Sequence, residues 1–83
     1  MASIFITGSA DGLGQLAAKA LVEQGHQVVL HARNVERGRQ ARQSVPGAEH
    51  VIVGDLTDSD ETKQVGHEAN AWGRFDAVIH NAG

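Results

Sequence analysis

Eighty-three residues set the scale of one small domain at most, because a chain of this length buries only about 60 to 65% of its unfolded surface. Hydrophobic residues make up 41% of the chain and charged residues 20%, as in ordinary globular proteins, and a net charge of −3 argues against a basic face for nucleic acid. There is no cysteine for a disulfide or a thiolate zinc site, no basic leader with an apolar segment and cleavage site, and no apolar run of membrane-spanning length, so a soluble, cytoplasmic protein without a membrane partner is expected.

The chain opens on an apolar strand. Ile4 to Thr7 are β-branched or aromatic, are bounded by a glycine and are too few for a helix. Three glycines follow, Gly8, Gly12 and Gly14, and a helical pattern runs from about Leu13 to Gln24, with Gly25 as its stop. Leu13, Leu16, Ala17, Ala20 and Leu21 recur at i, i+3, i+4, i+7 and i+8, which predicts that this face lies on the sheet.

Glycines suit a turn in which the chain reverses sharply and a bulky anion touches the backbone. Gly8 and Gly12 can take positive φ, and Gly14 lets the first helical turn pack closely. The helix N-terminus adds unpaired N–H donors and the positive end of a dipole, a combination that suits a pyrophosphate. Gly12-Leu13-Gly14-Gln15-Leu16-Ala17 matches G-x-G-x-x-[GA], and Thr7-Gly8 through Gly12 and Gly14 matches the longer T-G-x-x-x-G-x-G. The competing reading is an ordinary tight strand-to-helix turn. A preceding strand and a following amphipathic helix supply the context of a dinucleotide site, so Gly8, Ser9, Gly12, Leu13 and Gly14 are its candidate residues.

A second strand is expected at His26 to His31, parallel to the first through a right-handed crossover. An NAD-selective fold carries an acidic residue near the end of this strand, and none occurs between Gly25 and Val35. Arg33 stands there instead. A guanidinium pairs with a ribose 2′-phosphate where an acid would repel it, so NADP(H) is favoured over NAD(H); otherwise Arg33 is a solvated loop arginine. Asn34 is a ligand candidate and, more simply, the N-cap of the next helix.

Residues 35–44, with Arg37, Arg39 and Arg42, predict an exposed second helix that has few apolar anchors, and Pro46-Gly47 marks a turn. Either Arg39 and Arg42 add positive potential near the cofactor or they form a wet helix face. His50 to Val53 predict a third strand. Asp55 follows at its carboxyl end, able to accept from an adenine amino group or to act as a cap or turn residue. Asp58, Asp60 and Glu61 decorate the N-terminus of a third helix, with Asp58 or Ser59 as cap, and offer too few ligands for a metal. That helix spans Asp60 to Trp72, with Val65, Ala69 and Trp72 on one packing face. Phe75 to His80 predict a fourth strand, and Asn81-Ala82-Gly83 follow at its carboxyl end. The five histidines are dispersed, with no i, i+4 pair, and read as structural.

Thr7-Gly8-x-x-x-Gly12-Leu13-Gly14, Asp55-Leu56 and Asn81-Ala82-Gly83 resemble, in order and spacing, the cofactor half of the short-chain dehydrogenase/reductase family. The resemblance implies an α/β fold, a Rossmann-like doubly wound parallel sheet of βαβαβαβ units in the order 3-2-1-4, truncated after the fourth strand. Residues 1–83 would then be the N-terminal part of one NAD(P)-binding domain. It also implies that Gly8, Gly12, Leu13 and Gly14 line the pyrophosphate, that Asp55 and the Leu56 backbone meet the adenine, and that Asn81, Ala82 and Gly83 border the adenosine ribose. His31-Ala32-Arg33-Asn34 resembles the pattern of NADP-preferring members.

Family chemistry is hydride transfer between a nicotinamide and a carbonyl or alcohol substrate, using a tyrosine, a lysine four residues later and a serine. This chain has no tyrosine, and its only lysines are Lys19 and Lys63, so no catalytic residue is assigned. The expectation is an oxidoreductase piece that carries the cofactor site, continues beyond Gly83 and belongs to a homo-oligomer. The alternatives are a non-catalytic NADP(H)-binding module and a fragment that completes a partner's sheet.

Overall fold

Four short runs rich in β-branched residues form one parallel sheet: β1 (Ser3–Ile6), β2 (Gln27–Ala32), β3 (His50–Val53) and β4 (Ala77–Ile79). The computed structural model describes residues 1–10 and 12–81. Helices α1 (Gly12–Glu23), α2 (Val35–Ser44) and α3 (Ser59–Trp72) connect successive strands. The strand order is β3-β2-β1-β4 and every pairing is parallel, with Ile4 opposite both Val28 and Ala77. This is the expected Rossmann-like, doubly wound α/β arrangement. All four strands therefore deliver their carboxyl ends to the same edge.

Period-two alternation splits the core into two layers. Ile4, Ile6, Val28 and Leu30 pack with Ala18, Ala41 and Val45 on the face covered by α1 and α2. Phe5, Val29 and Ile52 pack with Val65 of α3 on the other. Phe75 stacks on Phe5 at a centroid distance of 5.4 Å, and Trp72 stacks on His50 at 5.3 Å, so Trp72 serves packing. The helix boundaries follow local chemistry: Asn34 Oδ1 accepts from Arg37 N–H at 2.9 Å, and Asp58 Oδ1 accepts from Asp60 and Glu61 N–H at 2.9 and 3.0 Å. The cap of α3 is thus Asp58 rather than Ser59.

One expectation is overturned in part. Of the expected α1 face, Ala17 and Leu21 meet the sheet, joined by Gly14, Ala18 and Val22, while Leu13 and Leu16 are 77% and 61% exposed and Ala20 is exposed too. Two stripes with helical spacing lie side by side on this helix. The turn after β1 brings the helix start so close to Gly8 that only the small-residue stripe fits against the strands. On the outer flank of the sheet, β4 leaves Val78 and Ile79 46% and 37% exposed. Among the described residues no helix is long and apolar enough to cross a membrane.

Candidate cofactor site at the carboxyl edge of the sheet

Gly8 and Gly12 adopt φ of 64° and 61°, a region that favours glycine, and bend the chain from β1 into α1. A Cβ at Gly14 would lie 2.6 Å from the Gly8 carbonyl oxygen and 2.6 Å from Asn81 Nδ2, so a side chain there would drive the helix off the turn. Among the described residues, a Cβ at Gly12 would meet no atom within 4 Å, so the space beside the start of α1 is open on that side. The first N–H groups of a helix lack intrahelical partners and its dipole puts positive charge at this end. Gln15 Nε2 donates back to the Ala10 carbonyl at 2.9 Å and braces the turn.

Gly8 and Ser9 hold the turn in place. Gly8 N–H donates to His31 Nδ1 at 3.0 Å, and the Gly8 carbonyl accepts from Asn81 Nδ2 at 3.0 Å. Ser9 is wholly buried. Its Oγ accepts from His31 N–H at 2.8 Å and lies 3.0 and 3.1 Å from the Ile6 and His31 carbonyls, which share its one proton. The hydroxyl is directed into the protein and faces no ligand space.

His31 is the residue that sequence reasoning left among dispersed structural histidines. It is 2% exposed, and while Nδ1 accepts from Gly8, Nε2–H donates to the Gly54 carbonyl at 2.7 Å. Both partners lie 23 residues away along the chain, so no local pattern announces them. The only available signal was a polar ring in the last turn of an otherwise apolar central strand.

Past β2, Arg33 is exposed, and among the described residues its guanidinium forms no ion pair. Asn34 caps α2 with its side-chain oxygen. Asp55, just past β3, accepts from Thr57 N–H at 2.9 Å and Thr57 Oγ1–H at 2.7 Å, both on Oδ1, while its own N–H donates to Glu61 Oε1 at 3.1 Å. The Thr57 backbone and hydroxyl bonds hold its carboxyl below the usual value, and the Arg33 charge lowers it further. Leu56 packs its side chain against the α3-side core and leaves only backbone for a ligand; its carbonyl accepts from Thr62 Oγ1 at 3.2 Å. Arg39 pairs with Glu36 at 3.6 Å on the wet face of α2.

At the end of β4, Thr7 N–H donates to the Ile79 carbonyl at 3.0 Å and Asn81 N–H to Thr7 Oγ1 at 3.0 Å, which binds this loop to the glycine turn. Ala82 and Gly83 lie outside the described residues. The strand ends thus bring together the glycine turn with the start of α1, the exposed Arg33 guanidinium and the Asp55 carboxylate, at the carboxyl edge where ligands bind in open parallel sheets.

A family model described as short chain dehydrogenase matches residues 2–83. The chain belongs to the short-chain dehydrogenase family. An uncharacterized oxidoreductase of Emericella nidulans is 63% identical over 83 residues, covering 100% of this chain and 32% of the relative. A short-chain dehydrogenase of Gibberella zeae is 55% identical with the same coverage of 100% and 32%. Among solved structures, a short-chain type dehydrogenase/reductase from Mycobacterium ulcerans aligns over 99% of this chain and 32% of its own, at 30% identity and a TM-score of 0.80. A short-chain dehydrogenase from Sphingobium yanoikuyae in complex with NADPH aligns over 100% and 34%, at 28% identity and a TM-score of 0.79. The chain spans about a third of the length of the curated relatives it matches.

The residues of this short-chain dehydrogenase chain fit a nicotinamide dinucleotide. Among the described residues no atom fills the space beside Gly12 at the start of α1, and the carboxyl ends of β2 and β3 present a cation, Arg33, and a carboxylate, Asp55.

Proposed function

We propose that the chain is the N-terminal cofactor-binding part of an NADP-dependent oxidoreductase that moves hydride between NADPH and a carbonyl or alcohol substrate. Bound NADPH supplies the hydride; the residues of this chain hold and orient it. The α1 N-terminus takes the pyrophosphate, Gly12 keeps a side chain out of its way, Gly14 lets the helix start sit against Gly8, and Leu13 flanks it from an exposed position. Arg33 pairs with the 2′-phosphate. Asp55 accepts from the adenine amino group with the oxygen that Thr57 does not use, beside the Leu56 backbone. Ser9, Asn34 and Asn81 keep the turn, α2 and the β4 loop in place. Catalytic acid/base groups belong to the part of the protein beyond these residues, and homo-oligomer contacts do too.

The observation that carries the cofactor preference is Arg33, exposed and without an ion pair among the described residues, where an NAD-selective fold would place an acid. The test is equilibrium titration of the complete protein with NADPH and with NADH. In Arg33→Asp, NADPH affinity is expected to fall roughly ten- to a hundredfold, the scale of a lost charged hydrogen bond, with NADH little changed. Equal losses for the two cofactors would overturn the assignment.

A further inference from the structure

β1 and β3 are not neighbours, because β2 lies between them. No backbone ladder can therefore fix the glycine turn after β1 relative to the loop that begins at Gly54 after β3. One side chain spans that gap. His31, on the central strand, accepts from Gly8 N–H with Nδ1 and donates to the Gly54 carbonyl with Nε2–H. Its backbone is clamped by Ser9, whose N–H donates to the His31 carbonyl at 3.0 Å and whose hydroxyl accepts from His31 N–H. Gly54 has no slack either: its N–H donates to the Ala32 carbonyl at 2.9 Å, and a Cβ there would run into Val65. The bond to Gly54 is buried and the bond to Gly8 is partly buried, so water makes good a lost partner at best in part.

We infer that His31 is a positioning residue for the dinucleotide, setting through Gly8 and Gly54 the separation between the phosphate-facing turn and the adenosine-facing loop at Asp55. The inference rests on the cofactor reading above. An acceptor toward Gly8 and a donor toward Gly54 require a neutral ring with its proton on Nε2. The role asks for a rigid group with an acceptor one atom beyond Cγ and a donor two atoms beyond it, which is what imidazole offers. Asparagine keeps a polar atom at the Nδ1 position only, and glutamine at the Nε2 position only.

The experiment is NADPH titration of the complete protein and of the variants His31→Asn and His31→Gln, with a melting curve for each. Asn keeps only the acceptor for Gly8 and Gln only the donor for Gly54, so each breaks the bridge and both should bind NADPH about tenfold more weakly than the wild type. A merely structural histidine would lower both melting temperatures and leave the affinities alone, so wild-type NADPH affinity in either folded variant overturns the role. A second measurement needs no variant: long-range proton–nitrogen correlation on the wild-type ring should show hydrogen on Nε2 and none on Nδ1, with and without NADPH, and a proton on Nδ1 overturns it. If the wild type binds neither NADPH nor NADH, the cofactor reading falls and the positioning role with it. Wild-type NADPH affinity in either folded variant removes the positioning role alone.

Discussion

Asp55 concentrates two Thr57 donors on one carboxylate oxygen, and its acidity follows from that geometry. The Thr57 backbone bond contributes most to the lowering below the ordinary value of 3.8, then the hydroxyl bond, with Arg33 adding a smaller electrostatic pull. A carboxyl that is more acidic when folded than when unfolded stabilises the fold fully above that ordinary value and stops doing so as pH falls through the folded value. Thr57→Val removes the hydroxyl donor and keeps the side-chain shape. Its Asp55 titration, followed by carboxyl carbon NMR, should shift upward yet stay on the acidic side of the ordinary value, because the backbone donor and Arg33 remain. No upward shift would mean that the hydroxyl bond does not persist in solution. The residues fall into two groups: Arg33 and Asp55 offer charge outward, whereas Ser9, His31 and Asn81 spend their polar atoms on the scaffold, each in part through partners distant in the chain. Sequence spacing named Arg33, Asp55, Ser9 and Asn81 as candidates but not the inward hydrogen bonds of Ser9 and Asn81, because a motif records which residue stands in a turn and not which way its polar atoms point.

At the level of elements, the strands, helices and stops were readable from local pattern, since β-branched runs, glycine breaks and the Asn34 and Asp58 caps each act over a few residues. The sheet-facing side of α1 was not. Leucines at helical spacing mark an apolar stripe, but the contact between α1 and the β1 turn selects the stripe with the smallest residues, and that contact is tertiary. Gly14 is the tightest point of it. Gly14→Ala places a methyl 2.6 Å from a backbone oxygen that cannot rotate away, so the helix must lift from Gly8 and from Asn81. Overpacking of this kind costs about 1 to 3 kcal/mol, and thermal unfolding of the complete protein should show a lower melting temperature. An unchanged melting temperature would mean that the turn is looser than the described geometry.

Over the whole molecule, the same parallel register that gathers the candidate site at one edge leaves β4 as an outer strand with a half-exposed apolar pair, Val78 and Ile79. Unpaired N–H and C=O groups along an apolar edge are a template for another strand. Residues 1–83 expressed alone should therefore self-associate, read as a mass above the monomer in light scattering, and Val78→Lys should reduce that association; a monodisperse monomer would show that the edge is already protected. The topology also carries a consequence in time. β1 finds β2 as soon as Ala32 has been made, but its other neighbour, β4, is complete only at Ile79. At about 5 to 20 residues per second, a growing chain waits roughly 2 to 10 s between the two pairings. Through that interval β1, an inner strand of the finished sheet, is itself an edge, and a nascent-chain chaperone would find Ile4, Phe5 and Ile6 displayed along it.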